Sequence, residues 1–237
     1  MKELAFYELE KQSHDTPIIS CCLYNSSRLS FDKHVKPLIE FFYKKNPFPI
    51  YLFINKDFIY LNELKKHFDN PENQTQIFVM YFTNQDEDFS QHLFRYYGGF
   101  VNAPACFYLG VDDLYLGHLE KGYAVAKLYN FDFACHSMEC SVRFYLSGKS
   151  VSIGSFSNKL ASFIQNYRTY NNPSEDWHID QVCAAKMVKD LKPKLCLICP
   201  TSVYNIFTEE FIRDRLRTLA TIIIRYTTPE DKYININ

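Results

Sequence analysis

Four short apolar runs, three of them ending in a polar tip and each separated from the next by a stretch of different periodicity, restrict this chain to a narrow set of folds. The first is Pro17 to Tyr24, around Ile18-Ile19-Ser20-Cys21-Cys22-Leu23, and the others are Ile50 to Ile54, Ile77 to Phe82 and Ala105 to Leu109. Runs this short read as strands buried on both faces, the condition of a parallel sheet covered by helices. Between the first two, Phe31, Val35, Leu38 and Phe42 recur at helical spacing, with Lys33, Lys36, Lys44 and Lys45 on other sides. Pro37 lies inside that pattern, so the helix is expected to start late or to bend there, and Asn46-Pro47-Phe48-Pro49 ends it. Tyr60 to Phe68 and Asp86 to Tyr97 read as further helices, the second stopped by Gly98-Gly99. Repeated strand–helix–strand order specifies an α/β fold, Rossmann-like, with a mainly parallel sheet and helices on both faces.

Composition removes several classes of function. The chain has 237 residues, 47% hydrophobic and 22% charged, with no repeat, low-complexity segment or charge block. It therefore reads as one domain over 1–237. Its 26 basic and 27 acidic residues leave a net charge of −1, which offers no overall attraction for nucleic acid, and no nucleic-acid partner is expected. Glycine is scarce, at 7 residues, and neither G-x-G-x-x-G nor G-x-x-x-x-G-K-[ST] occurs, which excludes a dinucleotide fingerprint and a P-loop as motifs. Met1 to Glu8 has no apolar signal-peptide core, and no run approaches the ~18 apolar residues that span a bilayer, so a cytoplasmic location is expected. Cys196-x-x-Cys199 lies within an apolar run that reads as a buried strand. A zinc site needs about four ligands, and no second pair stands at suitable spacing.

In open α/β sheets ligands collect beyond the carboxyl ends of the strands. That rule singles out Tyr24-Asn25-Ser26-Ser27-Arg28, Asn55-Lys56-Asp57 and, above all, Gly110-Val111-Asp112-Asp113. Two carboxylates between apolar runs are costly to leave unanswered. Read by themselves, Asp112 and Asp113 fit either a strand-ending turn that caps backbone amides or a site for Mg²⁺ or Mn²⁺ and phosphate.

The stretch Phe94-Arg95-Tyr96-Tyr97 … Phe107-Tyr108-Leu109-Gly110-Val111-Asp112-Asp113-Leu114 resembles the central segment of glycosyltransferases with a GT-A fold. In those families an Arg-bearing helix is followed by a strand ending in Asp-x-Asp. The resemblance implies a nucleotide-sugar-binding α/β sandwich whose aspartates hold Mn²⁺ or Mg²⁺ against the donor diphosphate. With Leu109 on the family's Leu, Gly110 replaces the first Asp and Asp112 takes the second, with Asp113 as the substitute carboxylate. Arg95 would then reach nucleotide or diphosphate, for which a planar, permanently charged fork is suited. A surface salt bridge is the plainer role for it. Asn25 would stand where base and ribose contacts gather, or serve simply as a turn residue.

Farther on, Ser174 after Pro173 is a good N-cap, and Ile179, Cys183, Met187 and Leu191 form one apolar stripe of a helix. Asp176 suits the first turn, where it meets the helix dipole; Asp180 lies past it. Trp177-His178-x-Asp180-Gln181 resembles the Trp-x-x-Asp-Gln element of several GT-A families, which implies that Asp180 approaches the sugar or acts as base on the acceptor hydroxyl, with Gln181 beside the donor. His136 and His178 are weaker candidates for acids or ligands. Phe211 to Ile224, with Arg213, Arg215 and Arg217 interleaved, is compatible with a packed helix or with an amphipathic one for peripheral membrane association.

The implied activity is transfer of a sugar from a nucleotide-sugar donor to a hydroxyl of a glycan or glycolipid acceptor. Two alternatives stand beside it. One is a non-catalytic relative that binds a glycan or a partner protein, which the missing first Asp permits; the other is a Rossmann-like nucleotide hydrolase.

Overall fold

The computed structural model describes residues 1–27, 29–43, 48–68, 76–83, 91–108, 127, 133–136, 150–153, 155–170, 194–198, 222–226 and 233–234. A single sheet runs through them. In chain order its strands are β1 (Lys2–Glu3), β2 (Ile18–Leu23), β3 (Ile50–Asn55), β4 (Ile77–Phe82), β5 (Ala105–Tyr108), β6 (Phe133–His136), β7 (Ser150–Ile153), β8 (Lys194–Ile198), β9 (Ile222–Tyr226) and β10 (Tyr233–Ile234). Across the sheet the order is β1-β4-β3-β2-β5-β7-β6-β8-β9-β10. From β1 to β5 every neighbouring pair is parallel. β7 runs antiparallel to both β5 and β6, β6 and β8 are parallel, and the β8–β9–β10 edge is antiparallel. The α/β class with a mainly parallel sheet flanked by helices is thus the one expected from the sequence.

The pleat sends alternate residues of each strand to opposite faces, and two helical layers cover them. On one face Ile19, Leu23, Leu52, Ile54 and Val79 meet Val35, Leu38 and Phe42, together with Leu64 and Phe68. These last residues belong to α1 (Lys36–Tyr43) and α2 (Leu61–Phe68) and to the π-helical turn Phe31–Val35 that precedes α1. Ser30 starts that turn, its hydroxyl oxygen accepting the Lys33 N–H at 3.3 Å. Pro37 falls in the first turn of α1, where its missing N–H is least needed; the helix does start late, as its position implied. In α2 the acidic Glu63 lies in the first turn and Lys65, Lys66 and His67 in the last, each complementing the helix dipole.

On the other face Tyr51, Phe53, Phe78, Met80 and Phe82 pack against Leu9, Leu93, Phe94, Tyr96, Leu160 and Ile164. Those partners come from three elements: the 3₁₀ segments Phe6–Lys11 and His92–Phe100, and α3 (Ser155–Tyr170). Phe82 and Phe94 stack at 4.1 Å, and Tyr51 and Phe78 at 4.7 Å.

Two local expectations are corrected. Gly98-Gly99 does not stop the preceding helix, which continues through both residues to Phe100. A Cβ at Gly98 would fall on the Cβ and Oγ of Ser20, and one at Gly99 on the Ser157 main-chain oxygen and within 2.6 Å of the Tyr108 hydroxyl. The pair is glycine because the segment touches β2 and α3 at once. Secondly, Ile222-Ile223-Ile224 belongs to β9 rather than to the end of an amphipathic helix, so the proposed membrane-facing helix loses its apolar end to the sheet. Consecutive β-branched side chains favour that outcome. Residues 211–221 lie outside the described set. Among the described residues no helix is long and apolar enough to cross a membrane.

Candidate functional site

The order of the parallel strands creates one place where the chain changes direction. From β2 it moves outward through α1 to β3 and through α2 to β4, with both helices on the same face. It then crosses back over the opposite face through His92–Phe100 and lays β5 on the other side of β2. The connections on either side of the β2–β5 boundary therefore lead away from each other, and the carboxyl ends there are where an open α/β sheet leaves a crevice.

Strand β5 pairs with β2 through Ile18–Cys106, Ile19–Phe107 and Ser20–Tyr108. Directly over this boundary lies Arg95: the buried Ser20 hydroxyl donates to the Arg95 main-chain oxygen. The half-buried Arg95 side chain donates from Nη2 to the Tyr96 hydroxyl at 3.1 Å, its guanidinium carbon 5.1 Å from the Tyr96 ring centre. The Tyr96 ring in turn lies 5.0 Å from that of Tyr108, the last residue of β5. A permanent cation is thereby held beside the switch point within an aromatic frame.

Polar groups gather at the neighbouring carboxyl ends. Asn55 closes β3 and is fully buried; its Oδ1 accepts the Asp57 N–H at 2.8 Å and its Nδ2 donates to the Gln91 Oε1 at 3.1 Å. Gln91 is buried as well, and its main-chain oxygen accepts from the Cys22 thiol at 3.1 Å. Asn25, just past β2, donates from Nδ2 to the Asp57 main-chain oxygen at 2.7 Å and accepts the Ile59 N–H at 3.0 Å. Its carboxamide therefore ties the β2 tip to the turn after β3, the role of a turn residue, and any ligand it met would have to share those bonds.

Two of the described thiols are held in the unreactive protonated form. Burial pushes the Cys21 thiol up to about 12, with the Arg95 charge pulling the other way. Burial also raises Cys106 well above its ordinary value, opposed by a hydrogen bond with Tyr108.

Of the residues singled out in the sequence, Arg95 is brought over the middle of β2, level with Tyr108 at the end of β5, and Asn25 to the carboxyl ends of β2 and β3. Asp112, Asp113, Asp180 and Gln181 lie outside the described residues, as does His178. Among the described residues no group of three or more His, Cys, Asp or Glu side chains is placed to hold a metal ion. Sequence reasoning passed over Ser20 and Gln91. Ser20 had a signal, as the one hydroxyl in an apolar strand; Gln91 had none, because its importance comes from Asn55, a partner distant in sequence.

No family model and no curated protein matches the chain. Among solved structures it is similar to a 4-diphosphocytidyl-2C-methyl-D-erythritol synthase from Anaerococcus prevotii, with 10% identity, a TM-score of 0.44, and coverage of 86% of this chain and 98% of that one.

Proposed function

We propose that this chain is a nucleotide-sugar-dependent glycosyltransferase that moves a sugar from its donor to a hydroxyl of a glycan or glycolipid acceptor. The observation that carries the reading is the switch point between β2 and β5 with the Arg95 guanidinium beside it. Arg95 lies on the segment that leads into β5, and Asp112 and Asp113 follow that strand closely in sequence, so both signs of charge needed around a metal diphosphate flank one strand along the chain. Arg95 holds the diphosphate as a bidentate fork. Asp112 and Asp113 are the carboxylates offered to Mn²⁺ or Mg²⁺, which when bound neutralises the departing diphosphate. Asp180, if ionised and within hydrogen-bond reach of the acceptor hydroxyl, takes its proton, and Gln181 contacts the donor. Most of the rate enhancement comes from holding donor and acceptor in line and from stabilising the leaving nucleoside diphosphate.

Donor cleavage over a panel of UDP-, GDP- and CMP-sugars, with Mn²⁺ and with chelator, tests the reading. Cleavage of one sugar nucleotide, faster with acceptor and far faster than that of plain nucleotides, supports it. Cleavage of plain nucleotides at comparable rates makes the chain a nucleotide hydrolase, and binding without any turnover makes it a non-catalytic relative, the outcome that Gly110 in place of the first aspartate permits. Activity that persists unchanged in chelator removes only the metal.

A further inference from the structure

Ser20 is the anomaly of β2: a fully buried hydroxyl at the centre of an otherwise apolar strand. A buried hydroxyl needs a partner, and this one is spent on the main-chain oxygen of Arg95 rather than on anything in the sheet. The same side chain is the surface on which Gly98 rests, since a Cβ there would overlap both Ser20 Cβ and Oγ. One residue thus anchors the crossover segment at two points three residues apart, one turn of a 3₁₀ helix. Ser20 also pairs with Tyr108 across the β2–β5 boundary, so the anchor lies at the switch point itself.

We infer that Ser20 is a positioning residue for Arg95: its hydroxyl and the Gly98 contact fix the backbone from which the guanidinium reaches a bound diphosphate. The inference rests on the donor-site reading of Arg95 and adds to it the group that sets the reach of the cation. Without the Ser20 hydroxyl the segment loses its side-chain tether to β2 at Arg95 itself, the Cys22–Gln91 bond lying four residues earlier, and the guanidinium is free to sample positions from which phosphate is out of reach.

A double-mutant cycle on the full chain separates positioning from general packing. Inorganic pyrophosphate is the probe, because it carries the diphosphate without base or sugar, and its dissociation constant is measured by calorimetry for the wild type, Ser20→Ala, Arg95→Gln and the double variant. Arg95→Gln is expected to weaken pyrophosphate on the order of tenfold or more. Ser20→Ala is expected to weaken it about fivefold in the wild-type background and by less than about twofold once the guanidinium is gone. Equal weakening in both backgrounds, or none in either, overturns the positioning role while leaving the donor reading intact. If Arg95→Gln changes nothing, or the wild type does not bind pyrophosphate, the donor reading falls and takes this inference with it. Should Ser20→Ala fail to fold, Ser20→Cys, a weaker donor in nearly the same space, enters the same cycle.

Discussion

On the face covered by α1 and α2, strands β2 to β4 present Ile, Leu, Val, one Cys and the partly buried Tyr81, and the helices answer with ordinary apolar stripes. Turned over, the same strands present Tyr, Phe and Met, with Ile18 and Cys22, together with Ser20 and Asn55, and their cover is mostly 3₁₀ segment rather than regular helix. The first face needs only volume and apolarity. The second contains buried hydroxyl and amide groups that must each find a partner, and a glycine pair that allows no added atom. Specific geometry is concentrated where the crossover to β5 passes, and the candidate site lies on that face at the carboxyl ends of the strands. The comparison teaches that the two sides of one sheet can be specified by different physics, bulk burial on one and directional contact on the other.

Substitutions can break or sharpen this contrast, most strongly in the strands themselves. Adjacent β3 residues point to opposite faces, both fully buried. Phe53→Ala is expected to cost about 4 kcal/mol and Leu52→Ala about 3 kcal/mol in urea unfolding. A loss below about 1 kcal/mol at Phe53 would mean that the aromatic face is loosely filled. Gly99→Ala comes next. Alanine is the better helix former by about 1 kcal/mol, yet here it is expected to destabilise by about 2 kcal/mol because its Cβ meets the main chain of α3. On α2, the exposed Asn62→Ala should be neutral or mildly stabilising, and the opposite signs are the test.

Removing one partner of the buried amide pair should cost less. Asn55→Leu leaves the Gln91 carbonyl without the bond it accepts, a loss of about 2 kcal/mol. Adding Gln91→Leu should recover part of that loss, with a coupling above about 0.5 kcal/mol in the cycle; strict additivity would show the amides to be independent.

The smallest effect belongs to the amino end of the aromatic face. There His14 shares a 2.7 Å hydrogen bond with the Tyr51 hydroxyl and packs edge-on against Tyr51 and Phe78. Burial lowers its pKa below the ordinary 6.5, with Asp15 opposing. The unfolded chain then takes up a proton first as pH falls, so the contribution is complete above 6.5 and is lost as pH drops through the folded value. Urea midpoints measured from pH 8 to 5 should decline, and His14→Gln should flatten part of the decline. An unchanged slope in that variant would assign the acid sensitivity to other groups.

The parallel half was legible in the sequence because it depends on local pattern. Ile77 to Phe82 is β4 at both ends, β2 is one residue shorter than expected at each end and β3 one residue longer, and β5 starts at Ala105 as expected, with Leu109 outside the described residues. The antiparallel half was less so. Ser150–Ile153 is short and alternates polar with apolar, and nothing local says that it inserts between β5 and β6. β1 and β10 have two residues each and exist only through the neighbours they pair with. Gly98-Gly99 was misread for a related reason: a helix stop and a close approach use the same residue, and only the facing Ser20 and Ser157 distinguish them. Within the site, Arg95 was found through its motif, whereas its tether to Ser20 joins residues remote in sequence.

A crystal structure with the nucleoside diphosphate that most raises the melting temperature, chosen among UDP, GDP and CDP, examines the donor site most directly. The diphosphate is expected beyond the carboxyl ends of β2 and β5, within hydrogen-bond reach of the Arg95 guanidinium, with Asp112, Asp113 and Asp180 around the same crevice. A nucleotide bound at the amino ends of the strands, those aspartates on separate flanks, or no binding of any of the three would contradict it.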